Sequence, residues 1–321
     1  MKAAIVRAFD RPPSYGDFED PTVKTGETLV SVKAAAVSPL VVSRAAGAHY
    51  SADTALPFVP GVDGVGRTSD GRRVYFSFPR PPFGSMAERA PVPLALLVPV
   101  PDEIDDASVA AAAVSGMSCW IPLTGRAPIH PGESVLVNGA TGGAGQMAIQ
   151  VAKHLGARKV IATGRNETKL RKLSELGADV LIPLGQPADQ FREAIRKEAR
   201  ESSVGVVLDY LWGSSAEMIL DALGGPNGPR GASRIQFVQI GTMAGPTISL
   251  AGTKLRSSGL EILGTGLGSV TNQDLLAGIG GFLKALAAER FRVAVEVYAL
   301  SDVERSWSAS VGDKRVVFSV P

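Results

Sequence analysis

Residues 135–146 read VLVNGATGGAGQ, three branched apolar residues followed by a backbone almost bare of side chains. Val135, Leu136 and Val137 suit an extended, buried chain, and the Pro131-Gly132 turn signal precedes them, so a strand is expected here. From Gln146 the text becomes QMAIQVAKHLGA. Met147, Ile149, Val151 and Leu155 fall near helical spacing, Lys153 and His154 are left for a wetter face, and Gly156 marks the stop. The unit is strand, glycine turn, helix. Glycine at Gly142, Gly143 and Gly145 removes the Cβ atoms that would hold a ligand's oxygens away from main-chain N–H groups. The helix start aims its unpaired N–H groups and positive dipole end at the same point. That arrangement suits an anion. The spacing reads as Gly139-x-x-Gly142-x-x-Gly145, or as a dinucleotide fingerprint with Ala140 in place of its first glycine; a glycine turn made for tight packing gives the same letters.

The text that follows narrows the choice. A second apolar run, KVIAT (159–163), ends in GRN, then come a charged helix ETKLRKLSELGA, a short strand DVLIPL, a helical stretch from Ala188 to Ala199, and VGVVLDYL (204–211). Strands alternating with helices predict an α/β fold, a doubly wound parallel sheet of Rossmann type with both faces covered. In such a sheet a ligand lies off the carboxyl ends of the strands, where the glycine turn already is.

Composition bounds the rest. The chain has 321 residues, 45% of them hydrophobic, enough for two domains. Lys+Arg at 33 nearly balance Asp+Glu at 31, so no strong field invites nucleic acid or an anionic membrane surface. Cys119 is the sole cysteine, which rules out an intramolecular disulfide, and MKAAIVRAFD lacks the apolar run of a signal peptide; a cytoplasmic setting is expected. The alanine-rich DASVAAAAVSGMSCW (106–120), broken by Gly116, reads as a buried helix and not as a membrane span.

Before residue 115 the texture differs. Short β-like pieces such as AAIVRAF, TLVSVKAAAV and RRVYFSF lie between proline and glycine clusters, notably PRPPFGS (79–85), a pattern that suggests a partly open β-barrel or coiled sheet. After about residue 266 come a helix through QDLLAGIGGFLKALAAER, a strand RVAVEVYAL, a short helix opened by the capping-box pair Ser301 and Glu304, and a last strand RVVFSV. A discontinuous arrangement is expected: residues 1–115 and 267–321 form a β-barrel-like catalytic domain, and residues 116–266 form a dinucleotide-binding domain inserted between them.

Taken in order, the blocks KAAIVRAF, AAAVSP (34–39), PGVDGVG (60–66), GSMAERAPVP (84–93), VSGMSCW (114–120), PGESVLVNGATGGAG (131–145), LGAD (176–179), VQIGTMAG (238–245) and GDKRVVF (312–318) resemble the medium-chain dehydrogenase/reductase superfamily, in its zinc-free quinone oxidoreductase branch. The resemblance implies a GroES-like coiled β-barrel, a Rossmann domain and nicotinamide-dependent hydride transfer in the cleft between them. Zinc-bearing relatives have a cysteine ligand near positions 40–42 and a Gly-His-Glu in the following turn. This chain has PLVV and GVDG there, with Val62 where histidine would be, and one cysteine cannot make a thiolate site. No metal is expected. His49, His130 and His154 show no paired spacing, and Asp63 reads as a turn-fixing carboxylate.

For the cofactor, the second Rossmann strand ends ATGRN, with Arg165 and Asn166 where an NAD-specific fold places an acid. A guanidinium holds a 2′-phosphate by charge-assisted hydrogen bonds, and Lys169 stands one turn on, so NADPH is expected. Thr141, Gly142, Gly143 and Ala144 in the turn, and Gly164 before Arg165, complete that part of the cofactor site. The resemblance adds Ile240, Gly241, Thr242, Gly264 and Thr265 at later strand ends, Ser118 where the family has threonine, and Lys314 at the terminal Gly-Lys position. Asp209 reads as a loop-fixing residue. On the substrate side, SPLVVSRAAGAHY has Ser38, Val41 and Ser43 where family members often have Asn, Asp and Tyr, which leaves Tyr50 as the candidate catalytic donor. The expected acceptor is a quinone or α,β-unsaturated ketone, since these accept hydride with less help than a simple ketone. Another carbonyl acceptor, or an NADPH-binding sensor with little turnover, are the alternatives. The branch also implies a homodimer joined through GLEILGTG, the last Rossmann strand.

Overall fold

The computed structural model describes residues 1–49, 51–52, 55–225, 234–266, 268–311 and 314–321. It divides into two compact units, Met1–Val114 with Ile279–Pro321, and Ser115–Gly278. Residues 268–278, expected with the catalytic domain, thus belong to the nucleotide-binding unit. Arg126 Nη1 donates to the Ser269 carbonyl at 2.9 Å, and a Cβ on Gly278 would stand 2.7 Å from Ile121 Cγ1, so the start of helix Asn272–Glu289 is held there.

The unit Ser115–Gly278 contains a six-stranded parallel sheet. Its order is Val180–Pro183, Lys159–Gly164, Ser134–Asn138, Val204–Asp209, Ile235–Gln239 and Leu260–Gly264. In order of appearance that is 3-2-1-4-5-6, the Rossmann arrangement, with the reversal of direction between Ser134–Asn138 and Val204–Asp209. Both central strands are buried along their whole length, as strands covered on two faces must be. Helix Ala188–Ser202 shows the complementary logic: Phe191, Ile195, Ala199 and Ser202 recur every three or four residues and are buried, together with Glu198, which pairs with Lys159, while the other charged residues occupy the rest of its circumference. Phe191 and Ile195 meet Leu136, Ile161, Ile219 and Phe237 in one core.

In the other unit, seven strands form a mostly antiparallel sheet. The path runs Val295–Ala299, Arg315–Ser319, Glu27–Ala36, Asp63–Thr68, Arg73–Ser77 and Leu97–Pro99, and Arg89–Pro93 also pairs with Glu27–Ala36. Strand Glu27–Ala36 pairs with three neighbours and shifts register between Val32 and Ala34, which lets one ten-residue strand serve two directions of a coiled sheet. Val30, Val32, Phe76, Met86 and Phe318 fill its interior.

Two local expectations change. Ser301 and Glu304 do not form a capping box, because a 3-10 turn over Leu300–Asp302 starts the helix later. Glu304 instead accepts a hydrogen bond from the Tyr15 N–H at 3.2 Å. The alanine-rich helix Asp106–Ile121 runs on through a π-helical turn, Pro122–Arg126, and the whole is long and apolar enough to cross a membrane, but it is mostly buried inside the protein.

Candidate functional site

Because all six strands of the nucleotide-binding unit are parallel, their carboxyl ends share one edge, and most of the expected site residues lie along it. Thr141–Ala144 follow strand Ser134–Asn138, Arg165 and Asn166 follow Lys159–Gly164, Ile240–Thr242 follow Ile235–Gln239, and Thr265 follows Leu260–Gly264. The loops are tied back to the sheet: Ile240 and Gly241 N–H groups both donate to the Asp209 carbonyl, at 2.8 and 3.2 Å, and Thr265 donates to Gln239.

Beneath that edge is a buried polar network that the sequence reading did not find. Asn138 Nδ2 donates to Asp209 Oδ1 at 2.8 Å and to Ser215 Oγ at 3.0 Å, while its Oδ1 accepts the Thr163 hydroxyl at 2.7 Å. Thr163 Oγ1 in turn accepts the Gly139 N–H at 3.2 Å. Asp209 also accepts the N–H groups of Leu211 and Trp212, and so holds Trp212 at φ +58°, a left-handed backbone unusual for an aromatic residue. The loop-fixing role expected of Asp209 is therefore its observed one. Burial raises its pKa, against the opposing pull of Asn138 and the two backbone donors. The signal for this network was a polar residue near the end of three otherwise apolar strands: Asn138, Thr163 and Asp209.

Within the glycine turn, the three fingerprint positions differ in what demands a glycine. At Gly139 φ is +86°, and at Gly145 a Cβ would lie 2.5 Å from Ala140 Cα and 2.6 Å from the Gly139 carbonyl oxygen, so both are required by the protein itself. Gly142 is not. Its φ of −80° and ψ of 161° suit any residue, and a Cβ there would meet nothing nearer than 3.8 Å. It is also the N-cap of helix Gly143–His154, a position where Ser, Asp or Asn normally stabilises. A bare, exposed backbone at a helix start with its cap side chain forgone fits an anionic group approaching the main chain, as the fingerprint's second glycine allows.

At the end of the next strand, Arg165 is exposed and makes no ion pair or hydrogen bond among the described residues. Asn166 has a different employment: it is the N-cap of helix Glu167–Lys172, its Oδ1 accepting the Lys169 N–H at 3.0 Å. Its Oδ1 is thus committed to the cap, while its Nδ2 has no hydrogen-bond partner among the described residues and stays exposed beside Arg165. Ser118 is drawn inward, its hydroxyl donating to the Ser115 carbonyl at 2.7 Å and lying 3.2 Å from the Tyr210 hydroxyl. Tyr210 is buried and packs against Ser118.

The barrel unit carries the remaining candidates. Lys314 is exposed at the start of the last strand, and Tyr50 lies outside the described residues. Ser38 caps helix Pro39–Ala45, its hydroxyl accepting the Val41 N–H at 3.3 Å. At the positions where zinc-bearing relatives hold their metal, Val41 and Val62 are buried hydrocarbon and offer no lone pair. Among the described residues no three His, Cys, Asp or Glu side chains gather as a metal site. Cys119 is buried in its helix, where loss of solvation pushes its thiol up to about 12. Asp63 lies within a strand, not a turn, and accepts the Tyr75 hydroxyl at 2.9 Å on one oxygen; the other has no hydrogen-bond partner among the described residues. Burial pushes its pKa up to about 7, with Tyr75 and the charge of Arg315 opposing.

Comparison with known proteins agrees with this architecture. A family model described as zinc-binding dehydrogenase matches residues 143–277. A probable NADPH-dependent quinone reductase of Emericella nidulans is 28% identical over 96% of both chains. A chloroplastic NADPH-dependent alkenal/one oxidoreductase of Arabidopsis thaliana is 35% identical over 50% of this chain, a match that spans 46% of the plant protein. Among solved structures, the quinone oxidoreductase of Thermus thermophilus, whose complex with NADPH is also known, superposes with a TM-score of 0.81 at 27% identity, covering 99% of this chain and 100% of that one. With the sheet order, the glycine turn and the interrupted barrel unit in place, these likenesses put the chain in the medium-chain dehydrogenase/reductase superfamily, in its quinone oxidoreductase branch.

Proposed function

We propose that the chain is an NADPH-dependent oxidoreductase that reduces a quinone or an α,β-unsaturated carbonyl without a metal. The observation that carries this reading is the pairing, on one sheet edge, of an unobstructed helix start at Gly142 with an exposed guanidinium at Arg165 where an acid would favour NAD. The backbone of Thr141, Gly142, Gly143 and Ala144 would hold the pyrophosphate. Gly164, Arg165, Asn166 and Lys169 would hold the 2′-phosphate. Ile240, Gly241, Thr242, Gly264, Thr265, Ser118 and Lys314 are assigned to the nicotinamide end. When bound, NADPH supplies the two electrons of the reduction as hydride from its nicotinamide ring.

With Val41 and Val62 in place of metal ligands, no Lewis acid polarises a simple ketone, and the reading favours acceptors that delocalise charge onto oxygen unaided. Tyr50 is the proposed hydrogen-bond donor to that oxygen, with it or water supplying the proton. The names of the fungal and plant relatives, a quinone reductase and an alkenal/one oxidoreductase, support the same acceptor classes. A homodimer is proposed through strand Leu260–Gly264, which ends the parallel sheet and leaves Ile262 and Leu263 only half-buried.

The test is steady-state NADPH oxidation with a panel of quinones, enones and simple ketones, before and after dialysis against a chelator. Turnover with quinones or enones that survives the chelator is expected. Turnover confined to simple ketones, or lost with one equivalent of zinc, would overturn the reading.

A further inference from the structure

The buried side chains of Asn138, Thr163, Asp209 and Ser215 form a hydrogen-bond chain whose direction is fixed. Thr163 Oγ1 accepts the Gly139 N–H, so its single proton goes to Asn138 Oδ1. That sets the Asn138 amide with its N–H bonds toward Asp209 and Ser215. Ser215 then donates its own proton to the Trp212 carbonyl at 3.3 Å. Turning the Asn138 amide over would bring its oxygen against the Asp209 carboxylate and leave the Thr163 hydroxyl facing an N–H, so the opposite polarity is penalised twice. The chain therefore runs one way, from the glycine turn to the turn Leu211–Gly213.

That second turn is pressed against both of its neighbours. A Cβ on Gly139 would lie 2.8 Å from Leu211 Cγ, one on Gly213 2.6 Å from the Ala244 carbonyl oxygen, and one on Gly241 2.5 Å from the Tyr210 carbonyl oxygen. The Leu211 carbonyl also accepts the Ala244 N–H at 2.7 Å. Trp212, at φ +58° and ψ −154°, holds a backbone conformation that glycine takes readily and tryptophan does not. The Asp209 carboxylate offsets that strain by accepting the Trp212 N–H on both oxygens. Backbone packed this closely transmits a shift in one turn to the next.

We infer that this chain is a positioning device of the cofactor site, with Thr163 as its link to the glycine turn. It keeps the loop Ile240–Thr242 in register with the helix start at Gly142, so that the nicotinamide end is aligned when the phosphates are bound. The inference rests on the reductase reading, which assigns those two places to the two ends of NADPH. Thr163 and Asn138 act through the backbone turns and not by contact with the cofactor.

Thr163→Val keeps the branched shape and removes the hydroxyl, whereas Thr163→Ser keeps the hydroxyl. With the quinone or enone that the wild type reduces fastest, kcat should fall on the order of 100-fold in Thr163→Val, the effect of a misplacement of about 1 Å, and should return in large part in Thr163→Ser. Equilibrium affinity for NADPH, carried by its phosphates, should change far less than kcat. The nicotinamide fluorescence of bound NADPH should show lower anisotropy in Thr163→Val than in the wild type, a looseness of the ring that lost stability alone does not produce. Equal kcat and anisotropy in Thr163→Val and wild type, with only Tm lowered, would overturn the inference. Affinity lost in proportion to kcat, or no recovery in Thr163→Ser, would overturn it too. Should Thr163→Val not fold, Ser215→Ala cuts the chain at the Trp212 end and is read by the same measurements. If the wild type binds NADPH but reduces no acceptor, the proposed reaction fails and the anisotropy still decides the chain. A wild type that binds no NADPH overturns the cofactor reading and this inference with it.

Discussion

Asp209 and Asp63 are both buried carboxylates whose pKa burial raises, yet one is surrounded by donors and the other is half-satisfied. Asp209, at the end of a parallel strand in the nucleotide-binding unit, accepts from Asn138 and from two backbone N–H groups. Asp63, inside the barrel unit, accepts one hydrogen bond, from Tyr75, and has one oxygen without a partner among the described residues. The difference teaches how each unit uses a buried charge. In the first, the carboxylate is a clamp that fixes the Leu211–Trp212 loop at the carboxyl edge of the sheet. In the second it is a buried titratable group whose pKa of about 7 brings its protonation close to neutral pH.

Removing the clamp should have the largest effect. Asp209→Ala leaves Asn138 Nδ2 and the N–H groups of Leu211 and Trp212 without their acceptor, and is expected to cost about 3–4 kcal/mol of stability in urea unfolding. A loss under about 1 kcal/mol would mean the network is dispensable.

The glycine turn sharpens the same contrast between what the protein needs and what a ligand needs. Gly142→Asp supplies a good N-cap side chain into open space, so Tm should hold or rise, while the added negative charge should weaken NADPH binding on the order of 100-fold. Unchanged NADPH affinity in that variant would remove the anion from this helix start.

Asp63 gives a pH signature. Its pKa of about 7 stands above the ordinary 3.8. Between those values the folded protein alone holds the proton, so its contribution to stability is fully present below about pH 4 and is lost as pH rises through about 7. The unfolding free energy from urea titration should therefore fall between pH 5 and pH 8 by ~2 kcal/mol more in the wild type than in Asp63→Asn. Parallel profiles for the two proteins would contradict the assignment.

The smallest effect is the most selective. Arg165→Ala should weaken NADPH binding about 10-fold and leave NADH nearly unchanged, since only the 2′-phosphate loses its partner. Equal losses for both cofactors would sink the assignment.

How much of this was legible in the letters depended on the distance over which the physics acts. The strand, glycine turn and helix of residues 134–154 follow from chemistry within one short segment, and Arg165 is located by chain order alone. The capping role of Asn166 was also local, an Asn three residues before Lys169 and directly before Glu167, but it was overshadowed by the expectation of a phosphate contact. The network of Asn138, Thr163 and Asp209 spans 25 and 71 residues of sequence, and its members meet only once the strand order is known. The pocket lined by Val41, Phe58 and Phe83 draws on three separate segments between residues 41 and 83, and nothing in any one of them announces it. Ser301 and Glu304 mark the converse case, a local pattern overruled when Glu304 found Tyr15.

The proposed reaction is tested most directly by following the label. NADPH deuterated at C4 of the nicotinamide is incubated with the protein and an enone, and the product is examined by NMR. Deuterium at the β-carbon of a saturated ketone is the expected result. Deuterium on a carbinol carbon would show reduction of the carbonyl itself and would contradict the proposed reaction.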